Sequence, residues 1–396
     1  MTPISSTDAG VSWPPLTVAV INLNGTATLP FTLDALRAAD YPGLRVMLVD
    51  DQSTDGSVEL VRSRYPEVEV HVVPQSKQRP SVVRNLAIQR ATTPFLMLLD
   101  NDIALRPDCL RRLMTVMVDR PAVFRVVPRL VYHDNPELIY MDGGALHYLA
   151  ISARSDRGKS VAVAPPGPPV PSIGCGIPLL RRDIAMRLGG FDEGYHFGWG
   201  EDAELIVRAR LLGFEALTVQ DAIGLHVEKS HGTGRAEAQF YNRYRLMWIN
   251  YSTRALVLLT PALFCFDLML MAMGFMKGLT RLQFKAMRTI WADRADILAR
   301  RRWMQQHRAV GDRSLLEGTP LAPTGVLRQS KLVQSIARWS SVLFVSYWRL
   351  VRDWLHDGPF RGRPVRVAAL DAAAEGLDDH VPDTHDELPG PLSSHV

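Results

Sequence analysis

The stretch LLDND, residues 98–102, ends an apolar run in two acids, Asp100 and Asp102, with Asn101 between them. Residues two apart on a strand face the same side, so both carboxylates would project from one edge. Like charges so placed need a counter-charge. A divalent cation held by Asp102 would supply it, because Mg2+ and Mn2+ take hard oxygen donors and commonly bridge a few carboxylates to phosphates. Polar residues also close two earlier apolar runs: Asn22 and Asn24 the first, Asp50 and Asp51 the second. Asp50 and Asp51, and the STD at 53–55, are equally suited to capping the helix that follows.

What must hold these residues is a sheet. LTVAVIN reads as a strand, LPFTLDALRAA as a helix and LRVMLVDD as a second strand. The alternation continues through SVELVRSRY, VEVHVV, SVVRNLAIQRA and PFLMLLD as helix, strand, helix and strand. This is the pattern of an open α/β sheet, which binds ligands outside the carboxyl ends of its strands. Asn22, Asn24, Asp50, Asp51, Asp100 and Asp102 fall there. Further along, Leu205, Ile206, Ala209 and Leu212 begin a helix after Gly200, with Gly213 as its stop. Glu201 and Asp202 then occupy its first turn, where acids complement the helix dipole.

Two phosphate-binding devices are excluded. The first turn, NLNGTATLP, has one glycine where a dinucleotide fold needs GxGxxG, and no GxxxxGK[ST] occurs anywhere. The 396 residues are 47% hydrophobic and 22% charged, enough for a large core with an appended region. Lys plus Arg number 45 against 41 for Asp plus Glu, so the net charge of +4 does not suggest a polyanion, and no nucleic-acid module accompanies it. Cys109, Cys175 and Cys265 lie far apart, which fits a reducing cytoplasm better than a disulfide framework. The opening MTPISSTDAGVSWPP lacks the basic and apolar segments of a secretory signal, and none is expected.

VAVINLNG, VMLVDDQSTDGS, VVRNLAI, LLDND and GGFDEGYHFGWGEDAEL resemble, in order, the motifs of the family 2 glycosyltransferases over roughly Leu16 to Gly232. The resemblance leans toward the rhamnosyltransferase-like branch. It implies the GT-A fold, a mixed and mostly parallel sheet, with a UDP- or dTDP-linked sugar as donor and Mn2+ or Mg2+ as cofactor. It also implies that Asp50 or Asp51 bonds the base, with Asn22 and Asn24 nearby, and that Arg84 approaches the base or diphosphate. Asp100 would face the ribose, and Asp102 the metal, with Asp100 adjacent and His226 completing the site, His231 being its nearby rival. Asp202, beside Glu201, would deprotonate an acceptor hydroxyl, inverting the anomeric centre, while His196 and Trp199 would meet an acceptor sugar. The family's glycine-bearing turn before the RN pair is missing from QSKQRPSVVRN. A sugar nucleotidyltransferase would want a glycine-rich basic first loop, and a non-catalytic membrane scaffold would not need the acids.

Beyond Tyr241 the composition shifts. Ala255 to Met276 contains one charge, Asp267, and one proline, Pro261. As a straight helix it would span about 33 Å, enough for a bilayer. Asp267 near its centre argues against a simple crossing, at roughly 2.5–3.5 kcal/mol on an insertion scale, and Pro261 would kink the helix. Lys277, Arg281, Lys285 and Arg288 then form a basic stripe, with Phe284, Met287 and Trp291 on another face. That pattern suits a helix at an anionic membrane surface. WSSVLFVSYWRLVRDW reads as a second such helix. A buried helical subdomain is the alternative. The expected organisation is an extension at 1–15, a catalytic domain at 16–240, a helical membrane-associating region at 241–369 and a disordered acidic tail at 370–396. Within the catalytic domain, 16–102 would bind the nucleotide and 103–240 the acceptor. The expected setting is the cytoplasm, peripheral or monotopic at the inner face of the cell membrane, with a glycan or lipid-linked acceptor.

Overall fold

The structure, a computed structural model, describes residues 12–74, 79–153, 156–174, 176–196, 200–228, 236–321 and 331–355. Trp199, His231 and the expected tail lie outside the described residues. The first half follows the predicted alternation: β1 (Leu16–Asn22), α1 (Leu29–Arg37), β2 (Arg45–Asp50), α2 (Ser57–Arg64), β3 (Glu69–Val72), α3 (Pro80–Arg90) and β4 (Phe95–Asp100). Next come β5 (Ile103–Leu105), α4 (Cys109–Asp119), β6 (Val123–Tyr132), β7 (Ile139–Met141), β8 (Ala145–His147), β9 (Ile151–Ala153), β10 (Val170–Pro171), β11 (Leu179–Arg181) and α5 (Arg182–Arg187). The remainder is α6 (Glu201–Leu211), β12 (Glu215–His226), α7 (Ala236–Asn250), α8 (Thr253–Met276), α9 (Thr280–Ala292), α10 (Arg294–His307), α11 (Asp312–Leu315), β13 (Leu316–Glu317) and α12 (Lys331–Val351).

Among the described residues, the main sheet has ten strands in the order β10-β12-β6-β11-β4-β1-β2-β3, with β5 on β12 and β7 on β6. β3, β2, β1 and β4 are parallel, and β11 enters antiparallel between β4 and β6. Near-continuous apolar strands such as LTVAVIN and FLMLLD are what a sheet covered on both faces requires. The register aligns Asn22 with Asp50, and Ile21 with Asp100. The strand-end polar residues therefore gather on one edge.

The helical region is not a detached unit. α7 runs without a break across the expected boundary at 240, because Tyr241, Asn242, Arg243 and Arg245 are buried. On α8, Ala255, Leu259, Ala262, Leu263 and Phe266 join one core cluster with Ala19, Leu98 and Leu205. Burying each of the larger side chains contributes about 1.5–3 kcal/mol. Asp267 accepts a 2.5 Å hydrogen bond from Arg243 of α7, so its charge is met inside the protein. α8 also runs through Pro261 as one helix. Its other face is exposed at Val257, Phe264, Leu268 and Phe275, so the region is half packed and half bare. Lys277, Arg281 and Arg288 are exposed, Lys285 pairs with Glu237 at 3.0 Å, and Phe284 and Trp291 share their solvent side.

Candidate active site

Asn22 organises the strand ends. Its Nδ2 donates to Asp50 Oδ1 at 2.6 Å, with the Ser57 and Ser53 hydroxyls at 3.0 and 3.1 Å. Asp50 accepts again from the Ser53 hydroxyl at 2.6 Å and the Ser53 N–H at 2.8 Å. Both oxygens of buried Asp50 are thus committed to the turn, which favours the turn-holding alternative for this acid. Asp51 stands next to it, also buried. Asn24, exposed with φ of 51°, closes the loop through Ser53 and Thr54. Asp55 receives Thr26 N–H at 2.9 Å and Ser57 N–H at 3.0 Å, and its pKa is lowered to about 2. Desolvation opposes that shift, but the hydrogen bonds from Ser57 and Thr26 outweigh it.

Asn101 faces back into this network, its Nδ2 donating to Asn22 Oδ1 at 2.6 Å. A Cβ on Gly25 would sit 2.2 Å from both atoms, so only glycine fits over the pair. Neither Asn101 nor Gly25 is among the residues singled out from the sequence. An asparagine between two acids carries no periodic signal that would mark it.

Arg84 of α3 is buried, although an isolated helix arginine reads as a solvated one. Its guanidinium lies 5.6 Å from the Phe191 ring centroid. A Cβ on Gly176 would come within 2.8 Å of Arg84 Nη2 and 3.9 Å of Asp100 Oδ2, placing cation and acid side by side. Arg84 Nε and Nη1 have no hydrogen-bond partner among the described residues. Buried donors of this kind are normally satisfied, so an anion is the fitting complement.

Asp102 and His226 meet because β5 pairs antiparallel with β12, setting Ile103 opposite His226. The Val227 N–H donates to the Asp102 carbonyl at 3.0 Å. His226 Nε2 stands 3.8 Å from Asp102 Oδ1. Behind it, Tyr140 stacks on the imidazole at 4.0 Å and 24°, and Arg157 covers Tyr140 at 4.4 Å while pairing with Glu228. The described residues contain no group of three or more His, Cys, Asp or Glu side chains suited to a metal. One carboxylate and one imidazole still fit a cation that takes its other donors from phosphate and water. Two atoms each about 2.1 Å from one ion lie roughly 3–4 Å apart.

The second half of the site is clamped from both sides. Asn85, beside Arg84, donates to the Phe191 carbonyl at 3.0 Å and accepts the Phe191 N–H at 2.7 Å. Asp192 is buried and receives Arg245 Nε at 2.9 Å, with Arg300 at 3.5 Å. These guanidinium charges lower its pKa against the opposing effect of desolvation. His196 stacks on Tyr241 at 4.4 Å, and Asn242 Oδ1 accepts its backbone N–H at 2.9 Å. Burial, and then the charge of Arg79, lower the pKa of His196. Gly200, with φ of 97°, turns the chain into α6, where Glu201 is buried and Asp202 half-buried. α3 touches β1, β4 and α6, joining the two halves.

Residues 17–188 match the profile of glycosyl transferase family 2. The pre-mycofactocin glycosyltransferase of Mycobacterium tuberculosis is 31% identical over 205 residues, 50% of this chain and 40% of that protein. The putative teichuronic acid biosynthesis glycosyltransferase TuaG of Bacillus subtilis is 29% identical over 118 residues, 28% of this chain and 46% of that protein. This chain thus spans less than half the length of either relative. Among solved structures, GalNAc-T7 with UDP, GalNAc and Mn2+ superposes with a TM-score of 0.51 at 16% identity, covering 61% of this chain and 49% of that one. Sheet order, strand-end residues and sequence profile agree: residues 17–188 are similar to family 2 glycosyltransferases, and the fold is similar to that of GT-A glycosyltransferases.

Proposed function

We propose that the protein transfers a sugar from a nucleotide diphosphate donor to a glycan or lipid-linked acceptor, with inversion, at the cytoplasmic face of a membrane. The observation that carries this reading is the meeting of Asp102 and His226 at 3.8 Å on the strand edge that also holds Asp100, with buried Arg84 of α3 near Asp100. Support for a nucleotide sugar comes from GalNAc-T7, solved with UDP and Mn2+. The relatives' names support glycoconjugate synthesis. The long apolar α8 supports the membrane setting.

In this reading Asp51 bonds the base, since Asp50 is committed to Asn22 and Ser53. Asp100 takes the ribose hydroxyls, and Arg84 donates to the diphosphate. Asp102 and His226 would hold Mn2+ or Mg2+, the imidazole favouring Mn2+. Such a cation, when bound, acts as a Lewis acid that stabilises the diphosphate leaving group. Asp202, at the open end of α6, accepts the proton of the acceptor hydroxyl as it attacks the anomeric carbon, with Glu201 behind it. His196, held by Asn242, lines the acceptor side. Mass spectrometry of products from a panel of UDP- and dTDP-linked sugars, with and without Mn2+, tests the reading. A glycosylated acceptor formed only with the cation is expected. Failure of every donor to give a product, with authentic acceptor extracts present, would overturn it.

A further inference from the structure

The geometry points to a membrane face built jointly by α8, α9 and α12, lying in the plane of an anionic bilayer so that α8 does not cross it. This deepens the membrane part of the proposed function and does not depend on the transfer chemistry. Length and apolarity alone make α8 a candidate span. Its attachments argue otherwise. Ala255, Leu259, Ala262, Leu263 and Phe266 are buried in the protein core, and Asp267 pairs with Arg243. The Leu258 carbonyl accepts the Tyr347 hydroxyl of α12 at 2.6 Å, and the Leu270 carbonyl accepts Gln283 of α9 at 2.8 Å. A crossing would detach this face and carry Asp267 into hydrocarbon without its partner.

The opposite face has the composition of a surface meant for lipid. Val257, Phe264, Leu268 and Phe275 recur at intervals of 7, 4 and 7 on α8, a stripe about 27 Å long. Phe275 is 80% exposed. α12 buries Phe344, Trp348 and Val351 and turns Trp339, Val342, Leu343 and Leu350 outward. α9 adds exposed Phe284 and Trp291 beside Arg281, Lys285 and Arg288. Exposed apolar area of this extent marks an interaction site, and aromatic rings next to cations belong at headgroup depth. Charge selects the occupant. A second copy docked two-fold on this face would bring its own basic row close to the first, whereas anionic headgroups attract it.

The test uses the full chain and flotation with phosphatidylcholine vesicles, with and without phosphatidylglycerol. Flotation is expected with the anionic vesicles and should weaken at high salt. Phe264→Glu combined with Leu343→Glu should abolish it, and Arg281→Gln with Arg288→Gln should reduce vesicle affinity on the order of tenfold or more. Circular dichroism should match the parent in both variants. In cells, reporters fused at the two ends should lie on the same side of the membrane. Reporters on opposite sides would overturn the in-plane arrangement. Absence of vesicle binding, together with self-association relieved by Phe264→Glu, would assign the face to a second copy. Neither readout uses a nucleotide sugar, so failure of this inference is distinguishable from failure of the transfer reading.

Discussion

Asn101 donates to Asn22 across the ends of β4 and β1 at 2.6 Å, and Asn22 in turn donates to Asp50 at the end of β2. The middle residue of the Asp-Asn-Asp run thus anchors the turn into the sheet, while the acids on either side remain at its edge. Asn101→Ala would leave the buried Asn22 oxygen without that donor, at about 1–3 kcal/mol. Urea unfolding of parent and variant measures the loss. Equal midpoints and slopes would mean the contact does not hold the turn.

Asp102→Ala removes one of the two protein groups that the proposed function assigns to the cation. The expected outcome is loss of the Mn2+-dependent part of UDP or dTDP binding, with the fold intact. Calorimetric titration with and without Mn2+ reads it directly. Identical affinities in parent and variant would take Asp102 out of the metal site.

Asp202→Asn keeps the shape of the side chain but cannot accept a proton. Donor affinity should be unchanged while turnover falls on the order of 10²–10⁴-fold. A variant with near-normal turnover would shift attention to Glu201, the buried acid beside it.

His147 supplies a pH dependence of stability. Its Nδ1 accepts the Leu149 N–H at 3.1 Å, which leaves Nε2 to donate to the Thr319 carbonyl, also at 3.1 Å. Burial lowers its pKa from 6.5 to about 4. As pH falls, the unfolded chain therefore takes up the proton first, so stability is complete above about 6.5 and is lost as pH falls toward about 4. The loss is on the order of 3 kcal/mol. In His147→Gln, melting temperature should change less over this window. A slope as steep as that of the parent would place the sensitivity elsewhere.

Much of the first half of the main sheet was legible because its signals are local. LTVAVIN is β1 residue for residue, and α6 begins directly after Gly200. Less legible were features set by distant partners. Asp50 and Asp51 look alike in the sequence, yet the first is fixed by Asn22 and Ser53. The boundary expected at 240 falls inside α7, because Arg245 reaches back to Asp192. α8 is apolar on both sides, and hydropathy does not say which side meets protein. Leu179–Arg181 is too short for any periodicity, although it joins β4 to β6.

That three-residue strand also bears on how the chain emerges from the ribosome. Until Leu179–Arg181 is synthesised, β4 has a partner in β1 but presents an apolar edge on its other side. Unpaired edges of this kind are templates for intermolecular pairing. Residues 16–102 are therefore not a folding unit by themselves. A fragment ending near Leu105 should aggregate, and one extending past Arg187 should be the more soluble of the two. Long-range closure by a short strand makes this a late step of folding, at the stage where newly made chain is most exposed to self-association.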